Sequence, residues 1–510
     1  MGRVNLDWAY VCGILLVALA LRVWGINYDL PYIYHADEPI YVTIVQNMFR
    51  TGDLNPHFFN YPSLFFYINL LAYIPYYLLG KLLGIFTSHN DISSPVMIVM
   101  GTTHALLPSA ILLGRSITLL FGIGTVGLTF MIGKLLTGDA RVGLLAALML
   151  SISPTNVSHS RLITPDTFVV FFTTATLLST VLIYQQGKLW HYIVAGIFAG
   201  LTASSKYNGA LIVLPLFFAH LLRWGKAAFK TSALYVALLF CVLAFFLTTP
   251  FALIDPKFWS DLRYEAQHYA TGHPGMEGDT VRWYLDYMWQ SGGIIYILAV
   301  LEILRGILLR SKEIILLSVF PLAYFIFIAS FVVRNDRTFL PMTPLLFVLS
   351  ASFWIYLWDK ARRFSSQGAH RLMIVVLACL LGSGLFIQLS NTITNTVRLT
   401  TINSRETARI WLSENLPIGA RIALESYSPF LDPARFSVQG FGRMIDHSPE
   451  WYIANQFDYL IFSQGMYGRF YREPEKYSKE VSQYDALFNR FTLLKKFMDG
   501  DFEVRVYRVK

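Results

Sequence analysis

The stretch Trp8–Ile26 (WAYVCGILLVALALRVWGI) is followed about ten residues later by His35-Ala36-Asp37-Glu38. The first segment is long and apolar enough to cross a hydrocarbon core of about 30 Å. It lacks a small-residue cleavage site, so it reads as a retained helix rather than a secretion signal. An adjacent acid pair just beyond such a span is costly to hold near hydrocarbon and marks a candidate site.

The rest of the chain continues in the same style. Of 510 residues, 55% are hydrophobic and 14% charged, against about 25% charged in ordinary soluble domains. Apolar runs of membrane-spanning length recur, which makes this a polytopic helical membrane protein. From Thr401 to Lys510, however, 29 charges fall in 110 residues, whereas the first 400 residues hold 44 of the 73. The sequence therefore divides into a membrane domain, 1–395, and a domain of soluble composition, 396–510. The net charge of +9 resides mostly in short loops, where basic residues fix topology, so nucleic acid is not the expected partner. Cys12, Cys241 and Cys379 all lie in apolar segments without metal-ligand spacing and read as small packing residues.

Basic loops at Arg223–Lys230, Arg305–Lys312 and Asp359–Arg371 place those turns in the cytoplasm. Counting outward from them puts the segments 27–61 and 255–288, Arg334–Arg337 and the C-terminal domain outside. Parity then requires an additional crossing around Pro95–Leu113, for about 13 spans. Both outer segments are too long to be simple turns and are rich in aromatic residues. In the tail, Ser404–Asn415 has helical spacing, and β-like runs follow at Arg421–Leu424, Tyr459–Phe462 and Phe502–Val509. A small extracytoplasmic α/β domain is expected, and no short-period repeat is visible.

Charged groups from distant parts of the chain share one membrane level: Asp37 and Glu38, Arg161 with Asp166, Lys206 in Ser204-Ser205-Lys206-Tyr207-Asn208-Gly209, and Arg334 with Arg337. Arginine forks and a lysine point charge suit a phosphate. Carboxylates suit removal of a proton from an attacking hydroxyl or amine. Plainer roles stand beside these: mutual pairing or helix capping for Arg161 and Asp166, snorkelling for Lys206, interfacial anchoring for the two arginines. His35 draws attention by its closeness to the acid pair. His57, His268 and His273 read as surface or groove residues, and no spacing makes a metal site, although a carboxylate pair can hold a divalent cation. No Gly-x-x-x-x-Gly-Lys-[Ser/Thr] phosphate loop occurs. An activated donor on the outer face has to be lipid-linked, which points to a lipid phosphate.

Five motifs in order carry a resemblance: Asp37-Glu38 with Tyr61-Pro62-Ser63-Leu64, Gly114-Arg115-Ser116-Ile117, Ser160-Arg161 through Pro165-Asp166, Lys206-Tyr207-Asn208-Gly209, and Arg334-Asn335-Asp336-Arg337-Thr338-Phe339-Leu340-Pro341. Together they resemble the GT-C class of membrane glycosyltransferases, and within it the protein O-mannosyltransferases and lipid A aminoarabinose transferases. The resemblance implies an inverting sugar transferase of the cytoplasmic membrane. Its donor would be a polyprenyl-phosphate sugar and its acceptor a protein, lipid or cell-surface glycan. Asp37 would be the catalytic base with Glu38 in support; Lys206, Arg334 and Arg337 would hold the donor phosphate; His35, Tyr61, Arg161 and Asp166 would shape the pocket. Asn60-Tyr61-Pro62 departs from the Lys-Pro of the lipid A transferases, which leaves the acceptor open. His268, His273 and Glu277 are read as part of an acceptor groove. A transporter or flippase of polyprenyl-linked glycans is the alternative, though the charges gather at one face rather than at the midplane.

Overall fold

In hydrocarbon a backbone has to satisfy its own polar groups, and the apolar runs of this chain do so as helices. The computed structural model describes residues 2–363, 367–500 and 502–509, so part of the basic Asp359–Arg371 loop lies outside the described residues. After α1 (Gly2–Val23) comes a long first loop containing β1 (Tyr32–Ile33), α2 (Glu38–Thr51), α3 (Leu64–Leu82), β2 (Val96–Val99) and β3 (Thr102–His104). The membrane domain continues through α4 (Pro108–Thr137), α5 (Ala140–Ser151), α6 (Pro154–His159), α7 (Asp166–Gln186), α8 (Leu189–Ser205), α9 (Val213–Trp224) and α10 (Ala233–Thr248). A second loop carries α11 (Lys257–Thr271). Beyond it come α12 (Thr280–Gly292), α13 (Ile294–Leu308), α14 (Lys312–Ala329), α15 (Asp336–Phe339), α16 (Thr343–Ala361) and α17 (Gln367–Thr400).

Seven of these helical stretches are long and apolar enough to cross a membrane. The pair α12 and α13, bent by 116°, makes an eighth, and α5, α8 and α10 are apolar but shorter. By length and composition the described residues thus hold seven or eight candidate spans and three shorter apolar helices, against the expected thirteen. Two segments expected to cross are not among them. Around Pro95–Leu113 there is no separate span: residues 96–104 fold into a hairpin in which β3 pairs with both β2 and β1, Ile33 lying opposite Thr103, and Pro108 already belongs to α4. Gly101 turns the chain at φ +69°, and β-branched Val96, Ile98, Val99, Thr102 and Thr103 suit strands. The other segment is α3, which lies along α2. Its Tyr67 hydroxyl donates to Leu54 O at 3.0 Å, and its Tyr76 hydroxyl lies 2.7 Å from Ser109 Oγ at the start of α4. Both ends of α3 therefore stay on the face that carries the first loop.

Small residues let the helices approach closely. On α8, a Cβ added to Gly196 would stand 2.2 Å from Ala237 O, and one added to Gly200 would stand 2.3 Å from Cys241 O on α10. This Gly-x-x-x-Gly face permits backbone contact that no larger side chain allows. Cys241 is part of that contact, in keeping with a packing role.

The C-terminal domain begins three residues after α17, with α18 (Ser404–Asn415) capped by the Asn403 side chain. Its sheet holds β4 (Arg421–Glu425), β5 (Ser437–Phe441), β6 (Tyr459–Ser463), β7 (Thr492–Asp499) and β8 (Phe502–Arg508), in the order β5-β4-β6-β8-β7. The first three strands run parallel, and β8 is antiparallel to both its neighbours. The domain docks on the first-loop hairpin: Tyr427 N donates to Met100 O, and Thr102 Oγ1 to Ser428 O, both at 2.8 Å.

Candidate active site

Asp37 occupies the N-cap position of α2, yet its carboxylate makes no cap. His35 does that work: its Nδ1 accepts from the backbone N–H of Asp37 at 3.2 Å and of Glu38 at 3.3 Å. Nδ1 is therefore the unprotonated nitrogen, and burial holds the imidazole pKa below its usual value. The Asp37 side chain is left to face across the fold, where its Oδ2 accepts from Arg337 Nη1 at 2.7 Å. Burial alone would raise this carboxyl, but Arg337 and His35 outweigh it and hold the pKa below the usual aspartate value.

Glu38 has a different fate. It is fully buried and takes two hydrogen bonds from Arg115, at 3.0 and 2.9 Å, one from Ile163 N at 3.0 Å and one from Tyr28 Oη at 3.3 Å. With its acceptors so engaged, Glu38 fixes the loop that carries Asp37, which makes its support of Asp37 a matter of positioning. The carboxylate pair is thereby split as a cation holder, and no group of three His, Cys, Asp or Glu among the described residues gathers to hold a metal.

A second ion pair stands beside the first. Lys206, where α8 ends, extends Nζ to 2.8 Å from Asp166 Oδ1 at the first residue of α7, and both side chains are buried. Lys206 also lies 5.4 Å from the centre of the Tyr61 ring. These groups border a cavity of about 330 Å³ whose lining includes Asn60, Tyr61, Lys206, Glu265, Tyr269 and Phe331. One turn after another of α11 faces this space, through Leu262, Glu265, Ala266 and Tyr269. Glu265 accepts from Asn60 Nδ2 at 3.4 Å, and burial raises its pKa despite nearby Lys206. A mostly apolar cavity with charged groups at one end suits an amphipathic ligand.

The structure thus brings Asp37, His35, Tyr61, Asp166, Lys206 and Arg337 into one region. It does not bring the rest. Arg161 is buried away from Asp166 and hydrogen-bonds Leu21 O and Thr396 Oγ1, tying α1 to α17. Arg334 leans on Gly278 and lies 3.9 Å from Glu473 of the C-terminal domain, outside the cavity lining. His273 Nε2 accepts from Arg469 at 3.0 Å, and burial together with that guanidinium pushes its pKa down to about 4. Glu277 pairs with Lys476 and Tyr477. His268 stacks edge-on against His273, on a face of α11 other than the one lining the cavity. His273 and Glu277 dock the second loop on the C-terminal domain, while His268 packs on second-loop side chains, and none of the three lines the cavity.

His159 and Asp336 went unassigned in the sequence. His159 Nε2 lies 3.5 Å from Asp336 Oδ1, and Asp336 directly precedes Arg337. Their signal was the acid inside Arg334-Asn335-Asp336-Arg337, whose partner 177 positions earlier no local pattern reveals. Glu265, which the sequence offers with its second-loop neighbours as part of an acceptor groove, lines the Lys206 cavity.

The sequence model of the dolichyl-phosphate-mannose-protein mannosyltransferase family matches residues 108–259, a stretch that includes Arg115, Asp166 and Lys206 but not Asp37 or Arg337. No curated protein matches the chain by sequence. Among solved structures, the apo oligosaccharyltransferase of Archaeoglobus fulgidus aligns with a TM-score of 0.58 at 12% identity, over 96% of this chain and 73% of its own. The same archaeal enzyme, AglB, in complex with an inhibitory peptide and a dolichol-phosphate aligns at 0.56 and 12%, over 100% and 74%. ArnT from Cupriavidus metallidurans bound to undecaprenyl phosphate aligns at 0.54 and 13% identity, over 98% of each chain. These neighbours are GT-C glycosyltransferases. The fold is therefore the one that the five ordered motifs imply.

Proposed function

We propose that this protein is an inverting glycosyltransferase that moves a sugar from a polyprenyl phosphate to a hydroxyl or amine acceptor at the outer face of the cytoplasmic membrane. The carrying observation is the pair of adjacent ion pairs, Asp37–Arg337 and Asp166–Lys206, of which Lys206 lines a mostly apolar cavity. Undecaprenyl phosphate in ArnT and dolichol-phosphate in AglB support a lipid phosphate as donor. The basic loops, read by the positive-inside rule, support an extracytoplasmic position for the site and the C-terminal domain.

In this reading the donor phosphate enters between Lys206 and Arg337 and competes with Asp166 and Asp37 for them. Arg337 shifts toward the phosphate and releases Asp37. The freed carboxylate takes the proton from the acceptor O–H or N–H as the acceptor atom bonds to the anomeric carbon. The bond from that carbon to the phosphate oxygen breaks on the opposite face, and its electron pair stays on the phosphate. Lys206 and Arg337 offset the charge that grows there. The products are an inverted glycoside, the polyprenyl phosphate and a protonated Asp37, which returns its proton to solvent.

The test uses purified protein in lipid nanodiscs with a panel of radiolabelled polyprenyl-phosphate sugars, following transfer to a membrane extract or release of free sugar. Turnover of a donor that vanishes in Asp37→Asn supports the reading. Tight donor binding without turnover, indifferent to Asp37→Asn, would move the protein to the flippase class.

A further inference from the structure

A second cavity, about 300 Å³, opens where the first loop meets the turn between α17 and α18, and it shares no lining residue with the first. Asn27, Tyr28, Asp29, Tyr34, Asn403 and Glu406 supply its chemistry. Its carboxylates are compensated. Asp29 accepts from Asn403 Nδ2 at 2.7 Å, Glu406 from Arg409 Nε at 2.9 Å, and the Arg405 guanidinium lies 4.2 Å over the Tyr34 ring. The cavity is therefore rich in donors, acceptors and aromatic faces without a strong net charge. Tyr34 is only 4% exposed, yet among the described residues its Oη has no hydrogen-bond partner. The adjoining Ser404 Oγ is likewise buried and unmatched. Buried polar atoms are satisfied in the great majority of native sites, so such orphans mark a place for an absent partner.

We propose that this cavity binds the sugar rings of a neutral glycan, carried either by a glycolipid headgroup or by a free oligosaccharide. Hydroxyl-rich ligands need what the lining offers: carboxylate and amide acceptors, amide and phenol donors, and tyrosine rings for the apolar faces of the sugar. The carboxylates Asp29 and Glu406 and the guanidiniums Arg405 and Arg409 balance in number, so an ionic ligand of neither sign is favoured, and a bare acyl chain would strand the polar lining. Ile402, 70% exposed, lines the cavity and suits the membrane surface from which a glycolipid headgroup would enter. Occupancy also reaches the Asp37 loop, because Tyr28 lines the cavity while its Oη donates to Glu38 and its carbonyl accepts from Arg115. The assignment stands on this lining alone and holds whether or not the transfer reaction proposed above is right.

The test is photolabelling of the full chain in nanodiscs with a diazirine-bearing glucosyl diacylglycerol, with free maltose as competitor and the same probe lacking its sugar as control. Label on peptides spanning residues 27–34 and 399–406 is expected. It should fall about three- to ten-fold in Tyr34→Phe, the worth of one hydrogen bond, and also in Asn27→Ala, whose exposed side chain can be truncated without disturbing the fold. Competition by maltose identifies a free glycan as sufficient; glycolipid labelling that maltose does not displace identifies the membrane-borne source. Equal labelling by the sugar-free control, label confined to the Lys206 cavity, or label unchanged in both variants overturns the proposal.

Discussion

Arg337 and Asp37, three hundred positions apart in sequence, meet at 2.7 Å, so the guanidinium engages the Asp37 carboxylate through Oδ2. The proposed base is therefore restrained by the proposed phosphate ligand. In the free enzyme the guanidinium holds Asp37 below its usual pKa. If the donor phosphate draws Arg337 away, Asp37 remains buried without that cation, and its pKa rises. The acid limb of kcat/KM reports the free enzyme and that of kcat the donor complex. Both activities should fall as pH drops and Asp37 gains a proton, but kcat should fall at the higher pH. Coincident acid limbs would refute the exchange of partners.

Asp37→Asn keeps the shape of the side chain and removes its basicity. Transfer should drop by about 10²- to 10⁴-fold, while donor affinity changes only a few-fold, because His35 still caps α2 and positions the loop. Titration of the variant with a non-hydrolysable donor analogue, alongside single-turnover rates, separates the two effects. Retained turnover would remove Asp37 from the role.

Lys206→Ala deletes a cation beside Tyr61 and leaves Asp166 buried without its lysine partner. A lost charge-assisted hydrogen bond is worth about 1.5–3 kcal/mol, so KM for the donor should rise about 10- to 100-fold, with KM for the acceptor little changed. Steady-state kinetics with each substrate varied in turn gives the comparison. An effect confined to the acceptor would contradict a donor-side role.

Glu38→Ala should act on the fold. It leaves the Arg115 guanidinium buried with no carboxylate, a change that typically costs about 3–5 kcal/mol. A lowered unfolding temperature, partly restored in Glu38→Gln, is expected from differential scanning fluorimetry in micelles. A variant that melts normally but has lost turnover would instead make Glu38 part of the chemistry.

The sequence made Asp37, Lys206 and Arg337 legible because charge on an apolar background is expensive and therefore conspicuous. Order along the chain then sorted them into a resemblance. Neighbours in space were another matter. Arg334, His273 and Glu277 carry the same kinds of charge as the site, but their partners Glu473, Arg469 and Lys476 sit in the C-terminal domain. Local pattern does not show such distant pairing. The hairpin at β2 and β3 was misread for a related reason: its apolar residues cover the C-terminal domain, with Gly440 packed against Ile98 and Val99, and so mimic a weak span. In the tail, α18 and the strands β4, β6 and β8 were readable, whereas β7 was hidden by a bulge between Leu493 and Lys495 that breaks its alternation.

Glu425, the final residue of β4, is fully buried in the C-terminal domain. Its carboxyl accepts from Tyr484 Oη at 2.5 Å, Ser463 N at 3.1 Å and Met444 N at 3.2 Å. Burial still dominates and pushes its pKa from 4.5 up to about 7. A folded-state pKa above the unfolded one means that the neutral acid favours the fold. That contribution is complete below the unfolded value and is lost as pH rises through about 7. The shift corresponds to about 3 kcal/mol across this window. Thermal unfolding of the domain, followed by near-UV circular dichroism, should therefore occur at a lower temperature at pH 8 than at pH 5. Glu425→Gln, which mimics the protonated acid without titrating, should flatten that dependence; a variant that keeps the full slope would mean that another group carries it.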